Sequence, residues 1–169
     1  MSVDLIENKV VNSGLITLNL EDFLPTNSLI ELDIKPWLFK ELILQEKPFR
    51  EHIKAFDWSV YKDKIVVFTC SADAIVPVWA YMLLGVAVHP FAKRFFFGSN
   101  QIAEEILCFE AINEVDFSQY KDVRVIVKGC GEKPIPTQAY VAIMSKLLPF
   151  AKSVMYGEAC SNVPVFKRK

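Results

Sequence analysis

The sequence predicts an α/β fold: a single three-layer domain with a mostly parallel sheet, built from two tandem βαβ repeats behind an N-terminal α+β segment. Three observations predict it. Residues 57–98 align with residues 116–157 at a constant offset of 59, with 14 identities in 42 ungapped positions. Each copy reads as a short Val/Ile-rich run, a Pro-containing loop, a helix and a second short run. The chain has 169 residues, 52% hydrophobic and 23% charged, which suits one domain able to bury a core without disulfides.

The first 56 residues lie outside the repeat. Leu15–Leu20 and Leu29–Ile34 alternate as half-exposed strands. Pro36–Leu44 and Pro48–Phe56 read as two short helices, each opened by a proline. This segment is expected to add a sheet edge and a covering layer.

Repeat one covers residues 57–99. Asp57-Trp58-Ser59-Val60-Tyr61-Lys62-Asp63 forms a turn into the strand Lys64–Thr69, and a helix follows from about Val78 to Val88. Pro77 sits where a helix start tolerates proline. Pro90-Phe91-Ala92-Lys93 turns the chain into a second strand, Arg94–Phe97, ended by Gly98. Repeat two, residues 116–160, repeats each step. Asp116-Phe117-Ser118-Gln119-Tyr120-Lys121-Asp122 leads into Val123–Lys128, a helix runs from about Thr137 to Leu147, and the strand Ser153–Tyr156 ends at Gly157. A strand, crossover helix and parallel strand make a right-handed unit. Residues 100–115 connect the copies as a helix with Asn100 as N-cap and Ile102, Ile106, Phe109 and Ile112 on its apolar side. Residues 161–169 read as a basic tail ending in Lys167-Arg168-Lys169.

Nineteen basic against twenty acidic residues give a net charge of −1, so no global field draws the chain to nucleic acid or anionic lipid. The start, with Asp4 and Glu7, lacks the basic and apolar regions of a signal peptide, and the expected compartment is the cytoplasm. The four cysteines are then expected to stay reduced. Residues 74–92 carry no Asp, Glu, Lys or Arg, close to the roughly 20 residues that span a bilayer. Pro77, Gly85 and Pro90 interrupt that run, and the second copy places Gln138, Ser145 and Lys146 in the matching segment, so the first reads as a buried core helix.

In doubly wound sheets, ligands bind beyond the carboxyl ends of the parallel strands. Cys70 ends the first strand of repeat one, Cys130 that of repeat two, and Cys160 follows the last strand. All three are expected at one end of the sheet. Thiolate is the form that binds zinc, iron or an iron–sulfur cluster, and the form that attacks. Three thiolates with Asp73, Glu132 or Glu158 as fourth ligand would complete a tetrahedral site. The opposing reading is that free cysteines are small core filler, the role expected of Cys108 in mid-helix.

His89 lies a dozen helical residues from Cys70, roughly 18 Å at about 1.5 Å each, too far to share a metal with it. His52 sits in a charged run. Gly129-Cys130-Gly131 would let backbone approach an anion at a helix start, with Lys128 beside it and Cys130 as nucleophile. No Gly-rich nucleotide motif is present. The repeated Asp-x-Ser-x-Tyr-Lys-Asp reads as turn architecture.

Thr69-Cys70-Ser71-Ala72-Asp73-Ala74-Ile75-Val76-Pro77, Lys128-Gly129-Cys130 and Gly157-Glu158-Ala159-Cys160-Ser161 with Val163-Pro164 resemble a bacterial family of Bacteroidetes catalogued as domain of unknown function 2480. The resemblance covers nearly the whole chain, from Asn8-Lys9-Val10 to the basic tail. It implies a setting near iron–sulfur cluster assembly, because genes of the family lie close to genes for that process. It therefore points to assembly proteins as partners and raises the thiolate reading.

Three functions follow. The first is a thiolate protein, with Cys70, Cys130 and Cys160 holding zinc or iron or carrying sulfur in iron–sulfur metabolism. The second is an enzyme or binder of a small anionic ligand at the crevice, with Cys130 and Lys128 in the active positions. The third is a non-catalytic protein whose surplus of apolar residues builds a homodimer.

Overall fold

The structure is a computed structural model and describes residues 14–26, 28–129, 131 and 134–169. In chain order the first elements are β1 (Leu15–Asn19), β2 (Leu29–Asp33), α1 (Glu46–Ala55), β3 (Ile65–Thr69), α2 (Val78–Val88) and β4 (Arg94–Phe97). They are followed by α3 (Asn100–Glu114), β5 (Arg124–Lys128), α4 (Thr137–Leu147), β6 (Ser153–Glu158) and β7 (Ser161–Lys167). The fold is mixed α/β and mostly parallel, as the alternation of patterns predicts.

The strands divide between two sheets, and the chain between two compact units. A mid-chain unit, Pro25–Glu104, holds the sheet β2-β3-β4, all parallel. A chain-end unit combines the described residues up to Leu24 with Glu105–Lys169 and holds β1-β5-β6-β7. There β1, β5 and β6 run parallel and β7 returns antiparallel along β6.

The duplication is larger in space than along the chain. Leu29 of β2 pairs with Ile65, and Ile65 with Arg94. Leu15 of β1 pairs with Arg124, and Arg124 with Ser153, the same register shifted by 59 on β5 and β6. The hexapeptides Leu15-Ile16-Thr17-Leu18-Asn19-Leu20 and Leu29-Ile30-Glu31-Leu32-Asp33-Ile34 are thus equivalent first strands of two modules. The burial pattern agrees. Phe49, Trp58, Tyr61, Val66, Leu84 and Val88 fill the mid-chain core, and 59 residues on Cys108, Phe117, Tyr120, Val125, Ile143 and Leu147 fill the chain-end core. Cys108 is 1% exposed and takes the place of Phe49, so it is core filler, and burial pushes its thiol pKa up.

The repeated heptapeptide is turn architecture. Asp57 accepts from the Ser59 N–H at 3.0 Å and hydroxyl at 2.6 Å, and Asp116 accepts from Ser118 at 2.9 and 2.8 Å. Those hydroxyl bonds, with the backbone bonds second, hold both carboxyls below the usual range. Asp63 and Asp122 turn through φ of 59° and 60°, and their N–H groups donate to the Phe91 and Phe150 carbonyls, each at 3.0 Å.

Several local expectations need correction. Of the first expected helix, Pro36–Leu44, only Pro36 and Trp37 are helical, in the 3-10 turn Lys35–Trp37. Lys40 and Glu41 adopt φ of 51° and 57°, which breaks a helix, and the Phe39 N–H donates to the Ile43 carbonyl at 2.8 Å. At α3 the capping side chain is Ser99, whose Oγ accepts from the Ile102 N–H at 3.3 Å; Asn100 is the first helical residue. Its expected apolar side also splits. Ile112 is buried with Cys108, while Ile102, Ile106 and Phe109 are exposed. Residues 161–167, expected as the start of a tail, are the strand β7. Pro164 is accommodated where the β6–β7 register shifts beside Met155. Arg168 is tied down as well, donating to Asp122 at 3.0 Å and to the Pro149 carbonyl at 2.8 Å. Among the described residues, no helix is long and apolar enough to cross a membrane.

Candidate functional site

In each unit the carboxyl ends of two parallel strands meet the start of the crossover helix, the place where α/β sheets hold ligands. In the chain-end unit this region contains a cavity of about 400 Å3. It lies between α4, which contributes Thr137, Tyr140 and Met144, and the β6–β7 hairpin, which contributes Val154, Tyr156 and Val165. Ligand pockets occupy roughly 300–1,000 Å3, so the space suits a small molecule. The wall is almost wholly apolar. The Tyr140 hydroxyl donates to the Gly129 carbonyl at 3.1 Å, and the Tyr140 ring meets the Tyr156 ring edge-on at 5.7 Å. Beyond the lining residues Val127 and Tyr156, the Lys128 ammonium pairs with the Glu158 carboxylate at 2.9 Å.

The mid-chain unit arranges two of the equivalent positions differently. Phe95 and Gly85 stand where the chain-end unit has Val154 and Met144. The Phe95 ring lies over Gly85, so close that a Cβ there would sit 3.0 Å from a ring carbon, and it stacks on Phe68 at 5.8 Å. In the chain-end unit Val154 and Met144 distribute the same number of side-chain atoms over the strand and the helix, and both line the cavity.

A second difference concerns the strand end. Cys70 corresponds to Gly129, not to Cys130. A Cβ on Gly129 would fall 2.1 Å from the Tyr140 hydroxyl, so the tyrosine fills the space that a side chain takes at Cys70. In the mid-chain unit Tyr81 packs on Phe97, the counterpart of Tyr156, with ring centroids closer at 4.5 Å. Burial raises the pKa of its hydroxyl, and the nearby charges of Cys70 and Asp33 add to that.

The expected thiolate residues are distributed as follows. Cys70 is half-buried just past β3 in the mid-chain unit, and its thiol donates to the Ala72 carbonyl at 3.7 Å. Cys160 is exposed in the β6–β7 turn of the chain-end unit. Asp73 is exposed in the loop after Cys70, and Glu158 is engaged by Lys128. Cys130 and Glu132 lie outside the described residues. Among those described, no three His, Cys, Asp or Glu side chains gather as a metal would require. The histidines stand apart: His89 meets Phe95 edge-on, and His52 stacks on Trp37 at 5.8 Å.

Asp33 is a polar residue that the sequence reading passed over. It ends β2 and clamps the loop after β3, accepting from the Ser71 hydroxyl at 2.5 Å and from the Ser71 and Lys35 N–H groups at 3.0 and 2.9 Å. Desolvation would raise its pKa; the Ser71 hydroxyl and the two N–H groups outweigh it and hold the carboxyl below its usual range. Its sequence signal was the repeated hexapeptide, in which Asp33 matches Asn19.

These burial differences order the thiols. In a Cys130→Ser background, Cys160 is expected to react fastest with a thiol reagent, Cys70 more slowly, and Cys108 only on unfolding. Titration of Cys160→Ser in that background checks this: survival of the fast phase would contradict the order.

No curated protein and no solved structure matches the chain. One family model does, over residues 4–168. With nearly its whole length matched, the chain belongs to the family described as protein of unknown function DUF2480.

Proposed function

We propose that the chain-end unit is a binding module for a small, mainly apolar molecule, held between α4 and the β6–β7 hairpin. The observation that supports this is the contrast between equivalent positions, a ring of Phe95 over Gly85 in one unit and an open cavity of about 400 Å3 in the other. A core without function tends to close such space, because voids lose packing contacts on every side. The apolar wall takes the body of the ligand. Thr137 and the tyrosine hydroxyls at the carboxyl end can orient one polar group. This narrows the expectation of an anionic ligand, since the Lys128 charge is already met by Glu158.

The test uses octanoate and indole as probes, followed by thermal shift and titration calorimetry. Either probe should raise the unfolding temperature of the wild type, by about 1.4 kcal/mol of stabilisation at ten times its Kd. Val165→Trp, on the half-exposed β7 wall, should fill the cavity and abolish the shift while leaving the fold intact by circular dichroism. Absence of binding at millimolar probe, or binding that Val165→Trp leaves unchanged, would sink the proposal.

A further inference from the structure

Helix α2 is apolar around its whole circumference, a pattern that belongs to helices covered on all sides. Its inner face is covered: Ala80, Leu84, Gly85 and Val88 are buried. Its outer face is not. Val78, Met82 and Val86, one helical turn apart, expose 76%, 67% and 72% of their surface. The stripe continues at both ends. Ile75, bridged to Ile43, precedes it, and Tyr81 ties it to Phe97 of β4 at 4.5 Å. Ile43, Ile75 and Phe97 are 60%, 92% and 62% exposed.

The duplicated module serves as an internal control. On α4 the positions matching Val78, Met82 and Val86 are Thr137, Val141 and Ser145, and two of the three are polar. The sheet edges differ in the same sense. β7 covers the outer edge of β6, whereas β4 pairs with β3 alone among the described residues, leaving an open edge of Arg94 and three phenylalanines, Phe95, Phe96 and Phe97. Such an edge is a template for another strand.

Area and symmetry select the occupant. The six side chains expose on the order of 750 Å2, beyond the usual largest apolar patch of a monomer and close to the roughly 800 Å2 per partner of a stable specific interface. A twofold axis beside an edge strand pairs that strand antiparallel with its own copy, the same sense in which β7 pairs with β6. We propose that this face is the isologous interface of a homodimer, with α2 packed on its copy and β4 antiparallel to β4 of the partner. It is separate from the cavity lining of the chain-end unit, so either proposal can fail without the other.

The test is sedimentation equilibrium of the full chain from about 1 to 100 μM, with a Kd of about 10 μM expected, the weak end of the range for an interface of this size. The wild type should be dimeric at the upper end. Met82→Lys with Val86→Glu should be monomeric throughout, and Val141→Glu on α4 should remain dimeric. Hydrogen exchange on the wild type adds a readout that needs no variant: β4 amides should gain protection with concentration and β1 amides should not. A monomer at every concentration, a dimer that survives the double substitution, or β4 exchange independent of concentration each overturns the proposal.

Discussion

Phe49→Ala is expected to destabilise the mid-chain unit by about 3–5 kcal/mol, the range for removing a buried aromatic side chain. Phe49 is fully buried and is the anchor by which α1 joins its core. Its ring meets Trp37 at 5.8 Å and Trp79 edge-on at 6.1 Å, so truncation removes aromatic contacts as well as apolar area. The chain provides a selective probe, because its three tryptophans, Trp37, Trp58 and Trp79, all lie in the mid-chain unit. The tryptophan-fluorescence midpoint in urea should fall by at least about 1 M, taking a slope of roughly 1–3 kcal/mol per molar. Cys108→Ala, at the equivalent position of the chain-end unit, removes one sulfur and should cost about 1 kcal/mol or less. A loss below about 1 kcal/mol for Phe49→Ala would show that the core refills the space and that α1 is not anchored by this ring.

That pair of positions shows why the sequence disclosed part of the duplication and concealed the rest. Identity survives where local chemistry demands one residue type. Asp57 and Asp116 must accept from a serine, Asp63 and Asp122 must turn through positive φ, and Gly98 and Gly157 must do so more severely. These positions carry the 59-residue offset. Core positions are under a looser rule, since any apolar group of suitable volume serves. Phe49 against Cys108 and Trp58 against Phe117 therefore share burial without sharing identity, and α1 was not legible as the counterpart of the second half of α3.

Strand partnership was less legible still. β1 and β2 differ little as sequences, and nothing local in Leu15–Asn19 states that it pairs with β5 on the far side of a whole module. One sheet was expected, with three cysteines at one end; Cys70 and Cys160 belong instead to different sheets' units. The loop 39–43 misled for a local reason. Lys40 and Glu41 take left-handed backbone without the glycine or asparagine that usually announces it. The cavity was not legible, because Phe95 with Gly85 and Val154 with Met144 carry equal numbers of side-chain atoms and differ only in how these are shared between strand and helix.

Gly157→Ala tests the repeat at its most demanding position. Gly98 and Gly157 occupy the same place in the two modules, with φ of 126° and 121°, a conformation that costs any side-chain-bearing residue about 1–3 kcal/mol. The backbone term is common to both, so their difference isolates what the new methyl group meets. At Gly98 it meets the Ile102 Cδ1 at 3.0 Å, the far end of a side chain that can rotate away. At Gly157 it meets the backbone carbonyl oxygen of Ser161 at 2.6 Å and the Asn162 Cα at 3.3 Å. Those atoms belong to the ladder itself, where Gly157 pairs with Asn162 and Glu158 with Ser161. Relief requires β7 to move off β6. Gly157→Ala should cost about 3 kcal/mol, lowering the unfolding temperature by about 6–12 °C, and Gly98→Ala roughly half of that. Hydrogen exchange should show the loss concentrated in Ser161–Lys167, while β5 amides keep their protection. Because β7 carries Val165 into the cavity wall, the same substitution should weaken probe binding. Equal costs at the two glycines would mean that the hairpin turn yields freely and that β7 is not held to β6 by its turn.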